Sequence, residues 1–355
     1  MPRAGVSKPR YQGLRAARRW IVDPAVPREP FSLAAWDRTG DLTVIGHLAR
    51  GRVTELYQVW SRKHWAALTG KLLAPEHLGN GTRPSFRREE RTLRALNHPN
   101  IVRLFGSGEA DGRPYLLLEY FSGPTLLELL EAMPRRRLTV PDAIRTAMHV
   151  GAALHYLHTR GYVHRDMKPA NILLREGIPV LVDFDVARGL GMPPPRDRLG
   201  TPPYMAPEQV FRQPLGPATD VYGLGAVLYE LLSGHWPTEE LRDPDEGEEW
   251  DEDDREDISD PAARAAAPAA KRLTPGDLRR RYPQIVEPPV PLRRHLASIP
   301  RELEGVVMQA LAAEPKGRFA SVADMLSALA PLLRGPHRLW PPGAHIQQAA
   351  DPEKP

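Results

Sequence analysis

The sequence contains no cysteine. That excludes disulfides, thiol catalysis and cysteine-ligated metal. It also lacks any run of eighteen apolar residues, so no membrane span is expected. No secretory leader is expected either. The first residues carry Arg3, Lys8, Arg10, Arg15, Arg18 and Arg19, with no acid before Asp23 and no apolar stretch. Such a start shares its composition with organelle transit peptides, but it reads first as a solvated basic tail, and a cytoplasmic location is expected. No repeat of the solenoid kind occurs. Proline, by contrast, is abundant at 39 of 355 residues and falls mostly outside the periodic segments. The net charge of +4 is modest but unevenly spread, and no nucleic-acid partner is expected.

Residues 1–40 read as a basic, proline-containing extension. A strand-rich segment follows at about 41–118. Leu42–Ile45 and Leu56–Trp60 are expected to pair as a hairpin, Phe86–Leu96 to form a helix stopped by Asn97-His98-Pro99, and Ile101–Phe105 and Tyr115–Tyr120 to form two more strands. Beyond a connection at 119–123 the pattern turns helical through 334. Expected helices are Pro141–Thr159, Asp220–Leu232 (ending at Gly234), Leu303–Ala312 and Val322–Leu333. Between about 238 and 272 no apolar period survives. Glu239 to Asp260 holds fourteen acids and two arginines, which reads as a disordered acidic insertion. It reads first as a solvated loop, with docking of a basic partner or of the chain's own N-terminus as the alternative. Residues 335–355 read as a tail.

The most informative stretch is His164-Arg165-Asp166-Met167-Lys168-Pro169-Ala170-Asn171, followed by the apolar Ile172-Leu173-Leu174. Phosphoryl transfer needs a carboxylate to orient an attacking hydroxyl and accept its proton, a cation beside the moving phosphate, and oxygen ligands for magnesium. Asp166, Lys168 and Asn171 supply these on one short loop.

This loop resembles the catalytic loop of eukaryotic-type protein kinases, and the lysine two residues after the aspartate resembles the serine/threonine branch, with a bias toward bacterial members. The resemblance runs over about residues 42–334. It implies an α+β, two-lobed kinase fold with a small β-rich N-lobe, a hinge at 119–123 and a larger helical C-lobe. It also implies transfer of the ATP γ-phosphoryl to a protein hydroxyl, with Mg2+ as metal and Mn2+ as substitute. Asp183, in Asp183-Phe184-Asp185, matches the family's magnesium ligand alongside Asn171. Asp185 replaces the usual glycine, a change expected to tune the flip of this segment through left-handed backbone. Thr201, in Gly200-Thr201-Pro202-Pro203-Tyr204-Met205-Ala206-Pro207-Glu208, matches the hydroxyl that contacts the catalytic Asp and Lys. Glu208 is expected to pair with Arg318, and Asp220 to anchor the catalytic loop.

The phosphate loop is less orthodox. Its glycine positions align with Ala49, Gly51 and Thr54 beneath Leu48 and Leu56; a shorter register puts Arg52 in place of the third. Lys71 is the expected phosphate-gripping lysine, with Glu89 favoured over Glu90 as its partner. Leu56, Thr69 and Leu173 are expected around adenine, with Leu118 as gatekeeper and the Glu119 and Phe121 backbones as hydrogen-bonding groups. Leu93, Leu104, His164 and Phe184 are expected to form an apolar column between lobes. Two alternatives stay open: a pseudokinase that binds nucleotide or acts as a scaffold, suggested by the phosphate loop and Asp185, and a small-molecule phosphotransferase, against which the Ala206-Pro207-Glu208 segment counts.

Overall fold

A computed structural model describes residues 31–51, 53–78, 82–133, 135–195, 198–238 and 274–333. The acidic run Glu239–Asp260, the tail 335–355 and Arg52 lie outside them.

The N-terminal half builds one antiparallel sheet from β1 (Arg38–Thr39), β2 (Leu42–Arg50), β3 (Thr54–Ser61), β4 (Ala66–Leu73), β5 (Leu104–Ala110) and β6 (Arg113–Leu118), in the order β1-β2-β3-β4-β6-β5. Alternation along β3 sets its two faces. Glu55, Tyr57, Val59 and Ser61 are buried on one side, while Leu56 and Gln58 on the other are only partly covered. Helix α1 (Arg83–Arg94) lies across the sheet and buries Phe86, Glu89 and Leu93.

Two expectations need correction here. Ile101 starts no sheet strand: it forms a parallel bridge with Leu181, and Val102 N–H donates to the Leu181 carbonyl, so the run Ile101-Val102 ties the lobes together and the strand begins at Leu104. An apolar run does not disclose which partner satisfies its backbone. Residues 31–39 are also no loose extension. They pack on the sheet, with Phe31 and Leu33 against the cluster of Leu42, Val44, Tyr57 and Val59.

The C-terminal half is helical. Helix α2 (Leu126–Ala132) starts at a capping box in which Thr125 and Glu128 satisfy each other's backbone. Helix α3 (Val140–Thr159) and α5 (Pro217–Ser233) form its centre, with the short α4 (Pro207–Val210) between them and the helices Arg301–Ala310 and Val322–Leu329 packed outside. Helix α5 is buried along nearly its whole length and ends at Gly234, whose φ of 80° suits glycine. Helix Val322–Leu329 is shorter than expected, because Ala330–Leu332 tightens into a 3₁₀ turn around Pro331. Two small ladders, β7 (Tyr162–Val163) with β10 (Arg188–Gly189) and β8 (Ile172–Arg175) with β9 (Ile178–Leu181), frame the loop 164–171.

Candidate active site

The loop between β7 and β8 hangs from a buried carboxylate. Asp220, on the first turn of α5, accepts the N–H groups of His164 and Arg165 at 2.8 and 2.9 Å. Burial pushes its carboxyl up, but the hydrogen bond and charge of His158 and the backbone donors hold it below the usual range. His158, 2.7 Å from Asp220 Oδ2, was not foreseen in the sequence. Gly223 lets the loop sit directly on α5, since a Cβ there would lie 2.8 Å from the Met167 Cβ.

This support brings four side chains together. Asp166 Oδ1 accepts the Thr201 hydroxyl at 2.8 Å, and its Oδ2 lies 2.9 Å from Lys168 Nζ. Lys168 also donates to Thr201 Oγ1 at 2.9 Å. Asn171 Nδ2 donates to the Asp166 carbonyl and to Oδ2, at 2.9 and 3.0 Å, which leaves the amide oxygen as the group able to ligate a cation.

Facing this cluster, Lys71 on β4 donates to Glu89 Oε1 at 2.8 Å and to Asp183 Oδ1 at 2.9 Å. Glu90, the neighbour, instead binds Arg94 and Ser107. Burial alone would lower the Lys71 pKa, but the carboxylates of Asp183, Glu89 and Asp185 raise it, so the ammonium stays charged. Burial raises Asp183 too, yet Lys71 and Lys168 outweigh it and keep the carboxyl low. Glu89 is pushed up to about 7 by burial and by Asp183 and Asp185, against the pull of Lys71. The ionised Asp183 and the Asn171 amide are hard oxygen donors of the kind magnesium takes. Among the described residues no group of three or more acidic or imidazole side chains could hold a metal unaided.

The left-handed backbone expected at Asp185 falls elsewhere. Asp185 is not among the positive-φ residues, whereas Asp183 (φ 63°) and Arg165 (φ 76°) are. In this conformation the aspartate occupies ordinary backbone without needing glycine. Phe184 packs edge-on against His164 with centroids 5.1 Å apart, and both are buried with Leu93, while Leu104 packs against the same core.

Around the cleft between the lobes, Leu48 is 43% exposed and Leu56 and Leu173 are partly covered. Thr69 and Leu118 are buried and face each other across β4 and β6. The Thr69 hydroxyl donates to the Glu119 carbonyl at 3.3 Å. Phe121 lies under the Arg175 guanidinium. At the loop tip, Gly51 N–H donates to the Thr54 carbonyl at 2.8 Å.

The segment 198–210 is held by the foreseen Glu208–Arg318 pair and by other groups that no sequence pattern announces. Gln209 donates to the carbonyls of Arg165 and Leu199, and Gln284 to those of Pro202 and Met205. Tyr204 donates to Glu230 at 2.6 Å; burial pushes Glu230 up to about 7. Glu208 and Arg318 form a two-pronged buried pair at 2.7 and 2.8 Å. Arg165 donates to the Val186 carbonyl at 3.0 Å; Asp197, the carboxylate that the sequence offers in this loop as a permanent partner for Arg165, lies outside the described residues.

Comparison with known proteins agrees with this geometry. The profile described as "Protein kinase domain" matches residues 42–326, and the chain belongs to that family. A serine/threonine-protein kinase PknB of Mycolicibacterium smegmatis is 33% identical over 259 residues, which cover 69% of this chain and 35% of that protein. A probable serine/threonine-protein kinase of Streptomyces coelicolor is 34% identical over 197 residues, 52% of this chain and 29% of its own. The match therefore spans about a third of the length of such relatives. The crystal structure of the Mycobacterium tuberculosis PknI kinase domain superposes with a TM-score of 0.61 at 23% identity, covering 84% of this chain and 99% of that one. The two-lobed α+β kinase fold is thereby shown.

Proposed function

We propose that the chain is a serine/threonine protein kinase that transfers the γ-phosphoryl of ATP to a protein hydroxyl in the cytoplasm. The observation that carries this reading is the cluster of Asp166, Lys168, Thr201 and Asn171 opposite the Lys71–Glu89–Asp183 triad. Asp166 orients the attacking hydroxyl and takes its proton, while Lys168 lies beside the moving phosphate. Lys71, held by Glu89, grips the phosphates. Asn171 and Asp183 would hold Mg2+, or Mn2+ in its place, and the metal would neutralise charge on the phosphate oxygens. Leu48, Gly51, Leu56, Thr69, Leu118 and Leu173, with the Glu119 and Phe121 backbones, would take the rest of the nucleotide. The segment ending at Glu208 favours a protein acceptor over a small molecule, and the complete set of charged groups counts against a pseudokinase. A basic segment docking on Glu239–Asp260 rests on charge alone.

The test is label transfer from γ-labelled ATP to a generic basic protein. Phosphoserine or phosphothreonine should appear with Mg2+ and vanish with a chelator. Nucleotide binding without any transfer would overturn the reading in favour of a pseudokinase.

Regulation should also differ from kinases switched by a loop phosphate. Residues 184–200 contain no serine, threonine or tyrosine. Arg165, which could hold such a phosphate by charge-assisted hydrogen bonds, donates to the Val186 carbonyl. Phosphatase-treated protein should therefore keep its initial rate. A large loss traced to a phosphate between Asp183 and Glu208 would contradict this.

A further inference from the structure

The family profile begins at residue 42, yet the chain before it is tied to the sheet by a dense polar network. At its centre is Glu55, fully buried on β3 on the face opposite the cleft. Its carboxylate accepts from Ser32 N–H at 2.9 Å, Ser32 Oγ at 2.5 Å, Arg50 at 2.6 Å, Tyr57 OH at 2.7 Å and Arg113 at 2.6 Å. Arg113 also donates to Ser32 Oγ and to the Leu73 carbonyl. Phe31 stacks on His47 with centroids 4.3 Å apart, and His47 Nε2 lies 2.7 Å from the Leu33 carbonyl. Further along, Trp36 and Asp37 exchange backbone hydrogen bonds with Val44.

Arg50 and Glu55 are register partners, the last pair of the β2–β3 ladder before the phosphate loop. The loop lacks two of the family's three glycines, so its geometry depends more on what grips its base. That grip is the Glu55 carboxylate, and two of its donors come from Ser32. Resting on the kinase reading above, we infer that the segment Phe31–Asp37 is a strap that positions the phosphate loop for nucleotide, with Ser32 and Glu55 as positioning residues. Neither residue touches nucleotide. They fix Arg50, which precedes Gly51, and the backbone of Glu55, which precedes Leu56. Burial pushes the Glu55 carboxyl up, but the hydrogen bonds from Ser32, Tyr57 and Arg113 hold it low, so the hub is anionic and each lost donor leaves a buried charge less satisfied. Phe31 and Leu33 are only partly buried and Ser32 is exposed, so loosening the strap should leave the lobe folded.

The test uses the full chain with Ser32→Gly, the double variant Phe31→Ala/Ser32→Gly, and Ser32→Thr, which keeps the hydroxyl. Loss of preorganisation should raise the Kd for Mg·ADP and the KM for ATP by roughly five- to tenfold in the double variant, with kcat and the acceptor KM within about twofold. Ser32→Thr should stay near the unaltered protein. Amide exchange should speed up at Ser32, Leu33 and Gly51. Faster exchange at Ser32 and Leu33 with unchanged nucleotide affinity would overturn the strap, as would a parallel fall in kcat, Tm and acceptor affinity. Nucleotide binding by the unaltered chain is measured first: its absence would sink the kinase reading and the strap together, whereas binding that is present and equal in all variants sinks the strap alone.

Discussion

Asp166→Asn should lower kcat by about 10²–10⁴-fold, the range contributed by a positioned general base. The substitution keeps size and shape but removes the charge and replaces one acceptor by a donor. Asp166 Oδ1 accepts from Thr201, and Oδ2 faces both Lys168 Nζ and Asn171 Nδ2. An amide cannot accept at both ends. With its NH2 toward Lys168 and Asn171, donor meets donor; turned over, it donates to the Thr201 oxygen and reverses that hydrogen bond. Either way the group has no basicity for a substrate proton. The nucleotide contacts proposed above fall on Lys71 and Asp183, so the Kd for Mg·ADP should stay within about twofold if the cost falls on the chemical step alone. Label transfer and nucleotide titration on the same preparations check this. A rate within tenfold of the unaltered chain would remove Asp166 from its proposed role.

Reactive groups were legible where chemistry forces them onto neighbouring positions. The loop 164–171 carries carboxylate, ammonium and amide within six residues of one another, so their grouping could be read directly. The partner of Lys71 followed from helical periodicity, because Leu93 lies one turn beyond Glu89 and both face inward. The anchors of this loop were half legible. Asp220 could be matched, but His158 on its other side is one of several histidines near the end of α3 and carries no local pattern. The Ser32–Glu55–Arg113 hub was invisible for a related reason. Its members stand 23 and 58 residues apart, and glutamate on a half-exposed strand normally reads as solvated. Only the fold brings two arginines and a serine onto that carboxylate. At Asp185 the residue type tolerates left-handed backbone, but in this conformation the turn places its positive φ at Asp183. Helix α2 was missed, although its capping box Thr125-x-x-Glu128 is a local signal that needs no tertiary partner.

Arg318→Ala should destabilise the C-lobe by about 3–5 kcal/mol, the cost of stranding one member of a buried ion pair. Every N–H of this guanidinium is used. Nε donates to the Ala312 carbonyl, one terminal nitrogen to Glu208 Oε1 and the Ala218 carbonyl, the other to Glu208 Oε2 and the Ala313 carbonyl. The plane lies over the Tyr222 ring at 4.9 Å. Alanine would leave the Glu208 carboxylate, 3% exposed, with Thr219 as its remaining side-chain donor, and would strand three carbonyls. Lysine should recover little, since an ammonium lacks the planar fork that meets both carboxylate oxygens and the flanking carbonyls. The double variant Glu208→Met/Arg318→Met should regain part of the loss, because it removes the stranded charge along with its partner. At roughly 2–4 °C per kcal/mol for a domain near this size, Arg318→Ala should lower Tm by about 10 °C. Thermal unfolding of the three variants followed by circular dichroism is the measurement. An Arg318→Ala protein that melts within a degree or two of the unaltered chain would show that water or a neighbouring side chain satisfies Glu208, and that the pair does not hold the segment Gly200–Glu208 against α5.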